Sequence, residues 1–587
     1  MTRKDPTHER GLRYQADDNI SLPLALGLGL QLTALIVSIP ILIPTVVMRA
    51  AGASEAYLSW AVFAAVAICG AATMLQARRI GRIGAGYVII MSSSTAFIGP
   101  SIDAIKSGGA ALLVTLVVVA SLFQFLLSAR LALFRRILTP TVSGAVLMLV
   151  PVTAMPSVLG MLDRVPDGSP AHVGPLCAIA TVLAIVVVAL KASGALRLWA
   201  PVIGVVAGSV VGALFGLYDF GRIDDARWIG LPEIAWPGID LDFGPAFWSL
   251  LPPFLLVTLI VTLRSISSSV AVQSVSWRRK RAVDFRAVQG AVNVDGISNL
   301  LCGLAGTVPN TGYSVSAALA ELTGVAARSV GIATGAMFVI LAFFPKALAA
   351  VLAIPGPVVG GYLGVLMAML FLVGIKVVVQ DGLEYRKGLI VGIAFWVGLG
   401  FEIDMIFPEQ AAAFAGGTFS NAMTTGGLSA ILMTLFVELT KSRRLRMAST
   451  LELSALPKIR EFLRSFAERE GWHSEMAERL EAVSEECLLN LVPPEDDAAR
   501  DSRPRRLRLV AYRDDVGAVL EFTAAPSDDN IQDQLVVLGD LGDDASIEHE
   551  ASLRLLRHLA SSVRHQQYHD IDVVTVHVKV PVRAAES

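Results

Sequence analysis

Three ionisable residues lie within apolar stretches of the chain, where a charge is costly unless it faces a cavity or a partner. They are Arg264 in VTLIVTLRSISSSVAVQS, Asp295 in VNVDGISN and Glu321 in ALAELTG. A stripe of hydroxyl side chains, Ser265, Ser268 and Ser269, lies beside Arg264 at helical spacing, which by itself favours close packing of membrane helices. A guanidinium inside a span needs an anionic or carbonyl partner, so the position of Arg264 indicates that it binds a ligand with such a group. Asp295 has two open roles, a structural ion pair with Arg264 or the carrier of a coupled proton.

Two short Gly/Ser-rich segments, Ser92–Pro100 and Thr307–Ala318, interrupt the apolar pattern. Unwound backbone at membrane depth is tolerated only where it lines a cavity, and the helix N-termini beside it direct amide donors at a ligand. The two segments occupy corresponding places in the two halves of the chain. Ordinary Gly/Pro kinks are the simpler explanation, but the paired placement favours a transport site.

The elements that position these residues are predicted to be membrane helices. Of 587 residues, 54% are hydrophobic and only 17% are charged, and the mean hydropathy is +0.62. This composition excludes a soluble globular protein. The net charge of −2 gives no basic field for nucleic acid. The four cysteines are too far apart for a zinc site or a disulfide framework, and no cofactor or metal is expected.

Fourteen apolar segments approach or exceed the length needed to cross the bilayer. They run over residues 22–48, 57–76, 86–101, 109–129, 139–161, 174–191, 199–217, 246–271, 287–306, 313–325, 329–352, 357–379, 388–403 and 421–440. Every even-numbered segment ends in basic residues, and the opposite loops are acidic or nearly neutral. The positive-inside rule therefore predicts an even number of crossings with both termini in the cytoplasm, as expected for a multi-pass protein of a cell inner membrane.

Three regions follow from the change in composition along the chain. Residues 1–21 form a polar cytoplasmic tail, residues 22–446 the membrane domain, and residues 450–587 a charged, amphipathic cytoplasmic domain. The last region contains helix-like and strand-like stretches and is long enough to form its own core. We therefore expect an α-helical polytopic membrane protein that carries an α+β domain at its C-terminus.

An ordered set of motifs in the membrane domain resembles the nucleobase–ascorbate transporters, the nucleobase:cation symporter-2 family of uracil and xanthine permeases. The motifs are LPLALGLGLQ, STAFIGP, LTPTVSGAVLML, DGISNLLCGLAGTVPNTGYS and IPGPVVGG. The resemblance implies a seven-plus-seven inverted repeat, divided into core and gate domains that move against each other, usually in a homodimer. It also implies a substrate cradle at Ala96, Phe97, Tyr313, Ser314 and Val315, and coupling to H+ or Na+.

The departures from this family bear on the substrate. Bacterial uracil-type members have an acid and, four residues later, a histidine, where this chain has Arg264 and Ser268. A fixed cation in place of a hydrogen-bond acceptor inverts the charge preference of the site. A base that ionises readily, such as xanthine or urate, or another small organic anion therefore fits this site better than uracil, and Asp295 is the remaining candidate for coupling.

A second resemblance lies in SEECLLNLV, which is similar to the N-box of anti-sigma-factor kinases of the histidine-kinase-like ATPase fold. In that fold the positions of Glu486 and Asn490 serve as base and Mg²⁺ ligand. The glycines of the fold are replaced around Ala525–Asp528 and Glu550–Ser552, which leaves little room for a nucleotide. A degenerate module that binds a cytoplasmic regulatory protein is the favoured interpretation, and surface residues of an amphipathic helix are the alternative.

Three functions compete at this point. A secondary transporter, which is not an enzyme, is favoured because fourteen segments exceed what an anchor requires. A membrane sensor or kinase that signals through the C-terminal domain and a channel-like anion pathway are the alternatives.

Overall fold

The computed structural model describes residues 12–580 except for sixteen short stretches. These are residues 131–139, 164, 166–169, 171, 193–195, 197–198, 279–280, 314–315, 318–324, 381–384, 411–421, 441–443, 493–505, 515–516, 526–529 and 538–546. The described chain divides into two compact units. The first contains Met1–Arg278 and Ala287–Glu438, and the second contains Arg279–Arg286 and Leu439–Ser587.

The first unit is built from helices and two three-residue strands. In chain order they are α1 (Leu22–Ile36), α2 (Ser38–Ala50), α3 (Glu55–Ala77), β1 (Met91–Ser93), a 3-10 turn (Thr95–Phe97), α4 (Ile98–Ala129), α5 (Pro140–Leu159), α6 (Val173–Lys191), α7 (Ala200–Leu214), α8 (Phe220–Asp225), α9 (Pro245–Val275), α10 (Phe285–Ala305), β2 (Asn310–Gly312), α11 (Arg328–Ala342), α12 (Pro345–Leu352), α13 (Gly356–Gln380), α14 (Tyr385–Glu402) and α15 (Ala422–Thr440).

Within the described residues, six helical stretches are long and apolar enough to cross a membrane, which makes the chain a multi-pass membrane protein. They are Leu22–Ala50, Glu55–Ala77, Thr95–Ala129, Val173–Lys191, Pro245–Val275 and Gly356–Val379. The pair α11 and α12, bent by 82°, gives a seventh if it is counted as one span. Fourteen crossings and their orientation stay a prediction.

Prolines and glycines account for the breaks in these spans. The break between α1 and α2 falls at Val37, where the ring of Pro40 clashes with the carbonyl of Ile36 in a continuous helix. The third and fourth predicted segments join in α4, which is kinked at Gly109 with φ of 80°. That left-handed conformation suits glycine, which has no Cβ. The residues before α4 are largely extended rather than helical.

The helices pack in two groups. In the first group, α3 lies along α2 and α11, α11 also lies along α1, and α9 lies along α4. In the second group, α13 lies along α5 and α6, and α6 lies along α7. Small residues allow the closest approaches. A Cβ atom added at Gly70 of α3 would lie 2.6 Å from the carbonyl oxygen of Gly335 in α11.

The second unit has a five-stranded antiparallel sheet in the order β3-β4-β5-β7-β6. Its elements are β3 (Leu445–Thr450), α16 (Leu456–Arg469), α17 (Ser474–Leu491), β4 (Arg506–Arg513), β5 (Gly517–Ala524), α18 (Ile531–Val537), α19 (Ile547–Leu559), β6 (Ser562–Gln567) and β7 (Asp572–Lys579). The helices and the sheet share an apolar core that includes Phe466, Leu488 and Phe522. Salt bridges such as Arg464–Glu481, at 2.6 Å, join α16 to α17.

Candidate functional site

The two interrupted segments meet as a pair of short strands. β1 and β2 pair antiparallel, with Ser92 opposite Thr311. The backbone N–H of Tyr313 donates to the carbonyl of Ile90 at 2.9 Å, and that of Ser94 donates to Pro309 at 2.9 Å. Because a membrane interior offers no water, non-helical backbone must find partners within the protein. The pairing satisfies it and brings residues from the two halves of the chain side by side.

Helix α9 lies beside this strand pair and contacts both β2 and the 3-10 turn. The ring of Phe97 in the turn packs against Phe254 of α9 with centroids 5.7 Å apart, and the preceding Ala96 is also buried. The hydroxyls of Ser265 and Thr311 are 3.0 Å apart. Helix α9 thus joins the two interrupted segments in one site.

Arg264 of α9 is partly buried, and its guanidinium carbon lies 5.1 Å from the centroid of the Tyr313 ring. A guanidinium over the face of an aromatic ring is attracted by the ring quadrupole and keeps its N–H donors available at the edges. Arg264 and Tyr313, both predicted site residues, are therefore in contact.

Asp295 of α10 is completely buried. Its carboxylate accepts hydrogen bonds from the hydroxyl of Ser265 and, at 3.4 Å, from the side-chain amide of Gln76. Across the part of the chain that the structure describes, Asp295 forms no ion pair with Arg264. Of the two roles left open by the sequence, the ion pair is thus not the one observed in this conformation.

Buried polar atoms without partners surround the strand pair. Within the described residues they include the hydroxyls of Ser92, Ser93, Ser94 and Ser268, Oε1 of Gln76 and Oδ1 of Asn310. Buried polar groups are nearly always hydrogen-bonded, because an unsatisfied one costs about 1–3 kcal/mol. A cluster of such atoms is expected where a protein binds a polar ligand or water.

Amide side chains hold β2 in place. The backbone N–H of Asn310 donates to Oδ1 of Asn299 at 2.7 Å, and Nδ2 of Asn299 donates to Oε1 of Gln124 at 2.9 Å. Gln124 in turn donates to the hydroxyl of Thr262 in α9 at 3.3 Å. The sequence alone did not identify Gln76, Gln124 and Asn299 as residues of this site. Their signal was an uncharged amide within an otherwise apolar helix.

Two predicted residues of this site, Ser314 and Val315, and the third ionisable residue of the apolar stretches, Glu321, lie outside the described residues. Among those described, no three His, Cys, Asp or Glu side chains come together as ligands of a metal ion.

Glu486 and Asn490 lie one turn apart in α17 of the second unit. Nδ2 of Asn490 donates to the carbonyl of Glu486 at 2.7 Å and to the hydroxyl of Ser552 at 2.8 Å. Ser552, which lies within α19, is one of the residues in place of the glycines expected before LRLLRHL. The Asn490 amide is therefore held by the protein itself, while its Oδ1 and Oε2 of Glu486 are buried and have no partner among the described residues.

A multi-pass helical protein with a buried polar site between interrupted segments belongs to the class of membrane transport proteins. The family model described as "Permease family" (Xan_ur_permease) matches residues 25–405, and the chain belongs to this family. Members of the family are transporters rather than enzymes.

Three curated relatives cover most of the chain. It is 28% identical to the putative purine permease CPE0397 of Clostridium perfringens, over 72% of this chain and 93% of the relative. It is 27% identical to the xanthine permease XanP of Escherichia coli, over 73% of this chain and 95% of the relative. It is 26% identical to the uric acid permease PucK of Bacillus subtilis, over 70% of this chain and 95% of the relative. Among solved structures, the transmembrane domain of the cyanobacterial bicarbonate transporter BicA aligns at 16% identity over 72% of this chain and all of that chain, with a TM-score of 0.43. This structural similarity is too low to support a conclusion.

Proposed function

We propose that the protein carries a purine base of the xanthine or urate type across the membrane. The observation that carries this proposal is the position of Arg264, stacked on Tyr313 and not neutralised by Asp295. The N–H groups of such a guanidinium suit an exocyclic carbonyl oxygen or an ionised base, because charge-assisted hydrogen bonds are about twice as strong as neutral ones. The names of the relatives, which are purine, xanthine and uric acid permeases, agree with this substrate class.

The substrate would lie between the strand pair and α9. Phe97 and Tyr313 would provide aromatic surfaces for the flat base, Ala96 would leave room for it, and the hydroxyl of Ser268 would bond to its polar edge. Ser268 is buried and has no partner among the described residues, which supports this role. Ser314 and Val315 complete the proposed cradle on the evidence of sequence position.

Transport would follow from movement of one packed group of helices against the other. The grouping of α1–α4 with α9 and α11, apart from α5–α7 with α13, supports a core and a gate domain. Fourteen segments in a seven-plus-seven inverted repeat, both termini in the cytoplasm, a bacterial-type inner membrane and a homodimer belong to the same proposal. Asp295 would couple transport to H+ or Na+, since its carboxylate is buried beside the site without a cationic partner among the described residues.

A carrier of another small organic anion is the second candidate, because Arg264 would bind any planar carboxylate as well. The C-terminal unit would then regulate either carrier by binding a cytoplasmic protein. The bond from Asn490 to Ser552 supports a module that has lost nucleotide binding, and saturable binding of ATP by the full chain would favour a signalling ATPase instead.

Thermal stabilisation of the purified protein tests the proposal. Xanthine, urate, uracil and a set of small carboxylates would each be added at two pH values, since a ligand that binds only the folded state raises the melting temperature. We expect stabilisation by xanthine or urate that grows as the base ionises. A response only to carboxylates would identify a small organic anion, rather than a purine base, as the substrate. Saturable stabilisation by uracil alone would contradict the role given to Arg264.

A further inference from the structure

Residues 226–244, which connect α8 to α9, contain neither helix nor strand, and we call them the α8–α9 strap. The strap runs across several helices of the first unit. Its backbone is held there by a series of hydrogen bonds, so its course is defined by the helices beneath it.

Five hydrogen bonds attach the strap to α4, α10 and the bend between α11 and α12. The N–H of Gly230 donates to the carbonyl of Phe343, after α11, at 3.1 Å, and the N–H of Lys346 in α12 donates to Arg227 at 3.1 Å. Nε1 of Trp236 donates to the carbonyl of Leu304 in α10 at 2.7 Å. Asp240 bonds through its carbonyl to the hydroxyl of Thr115, at 2.5 Å, and through its N–H to the carbonyl of Ala111, at 3.4 Å, both close to the kink of α4.

The strap leads directly into a membrane-spanning helix. Helix α9 begins at Pro245, immediately after the strap, and is long and apolar enough to span the bilayer. The ends of spanning helices lie at the boundary between hydrocarbon and headgroups. The end of the strap that joins α9 therefore lies at this boundary.

The side chains of the strap are unusually apolar for a connection. Eight large hydrophobic residues are exposed, with Trp228 and Ile234 each 70% and Leu241 73% accessible. The others are Ile229, Leu231, Trp236, Ile239 and Phe243. Residues 228–243 contain three acids and no lysine or arginine. A contiguous apolar surface of this kind marks an interaction site, and tryptophan is the side chain most typical of the membrane interface.

We infer that the α8–α9 strap is an interfacial anchor whose exposed apolar side chains insert among lipids at the headgroup–hydrocarbon boundary. The partner is the lipid surface rather than a particular headgroup, because residues 228–243, which carry the exposed apolar side chains, include acidic side chains and no lysine or arginine to attract anionic lipids. Through its hydrogen bonds, the anchor holds the kink of α4, the end of α10 and the bend between α11 and α12 at a constant depth.

Site-directed labelling tests this inference with the full chain. The four native cysteines are buried, so an introduced exposed cysteine can be labelled selectively. Ile234→Cys and Leu241→Cys would carry an environment-sensitive fluorophore in liposomes. Leu453→Cys, an exposed leucine of the second unit, would serve as the matched control in water.

We expect the two strap sites to show blue-shifted emission and strong quenching by lipids that carry a spin label near the headgroup. The Leu453 site should be quenched by aqueous iodide instead. Replacing neutral with anionic lipid should leave the strap signals unchanged. Iodide quenching of the strap sites equal to that of the control would overturn the inference. The inference would also be overturned if the strap sites lost their protection from iodide when each nanodisc holds one copy of the protein. That result would mean that a second copy of the chain covers the strap in liposomes.

Discussion

The guanidinium of Arg264 lies over the ring of Tyr313, 5.1 Å from its centroid, whereas the buried carboxylate of Asp295 is bonded to Ser265 and Gln76. The cation and the acid of the site are thus held by separate partners. An ion pair between them would neutralise both and leave little affinity for an anionic ligand. Their separation makes it possible to test the two residues independently.

Replacing Arg264 by alanine should weaken binding of xanthine or urate by about 10- to 100-fold. The reason is the loss of charge-assisted hydrogen bonds worth about 1.5–3 kcal/mol. Arg264→Lys should retain part of the affinity, because it keeps the charge but not the planar donor geometry. Ligand-induced melting shifts and uptake into proteoliposomes measure both variants. Unchanged affinity in Arg264→Ala would disprove the anion-binding role.

The hydroxyl and the ring of Tyr313 can be separated by two substitutions. Tyr313→Phe keeps the aromatic face under Arg264 and should bind ligand nearly as well as the native protein. Tyr313→Ala removes that face, and a cation–π contact is worth about 0.5–2 kcal/mol. We expect affinity to fall by about 2- to 30-fold. Equal losses in both variants would instead assign the effect to the tyrosine hydroxyl.

The sequence was sufficient to predict a multi-pass helical protein, because long apolar runs reflect the hydrocarbon thickness directly. It also predicted that Ser92–Pro100 and Thr307–Ala318 are interrupted. It did not predict that Met91–Ser93 pairs with Asn310–Gly312. Strands of three residues are too short to show the alternation that identifies a strand, and their pairing depends on a contact between distant parts of the chain.

The partners of Asp295 were equally beyond the sequence. An aspartate and an arginine in neighbouring spans suggest an ion pair, and only the packing of α3 against α10 shows that Gln76 reaches the carboxylate. A single glutamine in an apolar helix carries no pattern that identifies its partner. Buried polar networks are set by three-dimensional contacts, so residue type alone underdetermines them.

Ser265 and Ser268 form a matched pair on one face of α9. Ser265 bonds to Asp295 and lies 3.0 Å from Thr311, so Ser265→Ala should lower the melting temperature by leaving a buried carboxylate short of a donor. Ser268 has no partner among the described residues, so Ser268→Ala should leave the melting temperature without ligand unchanged. If Ser268 binds substrate as proposed, its alanine variant should lose the shift caused by xanthine or urate. A normal shift would remove Ser268 from the site.

The contact between α3 and α11 depends on two glycines. A Cβ atom at Gly335 would lie 2.5 Å from the carbonyl oxygen of Gly70, and the reverse substitution is equally close. Gly70→Ala or Gly335→Ala should therefore force the helices apart, at a cost of about 1–3 kcal/mol for overpacking. Gly364→Ala is the control, because nothing lies within 4 Å of its added Cβ. Equal melting temperatures for all three variants would show that the helices are not in such close contact.

Cys487 is the one cysteine of the second unit, and it lies on the buried face of α17, completely enclosed in the apolar core. Burial raises the pKa of its thiol, because the charged thiolate is desolvated. The folded protein then holds this proton at a pH where the unfolded chain releases it, so stability falls as the pH rises above the pKa of the thiol in the unfolded chain, about 8.5.

We expect maleimide to modify Cys487 only after denaturation, and unfolding of the second unit to become easier between about pH 8 and 10. Cys487→Ala, measured in the same full-length protein, should lose part of that pH dependence although its stability at neutral pH is lower. Rapid labelling of native Cys487 at neutral pH would contradict both its burial and its raised pKa.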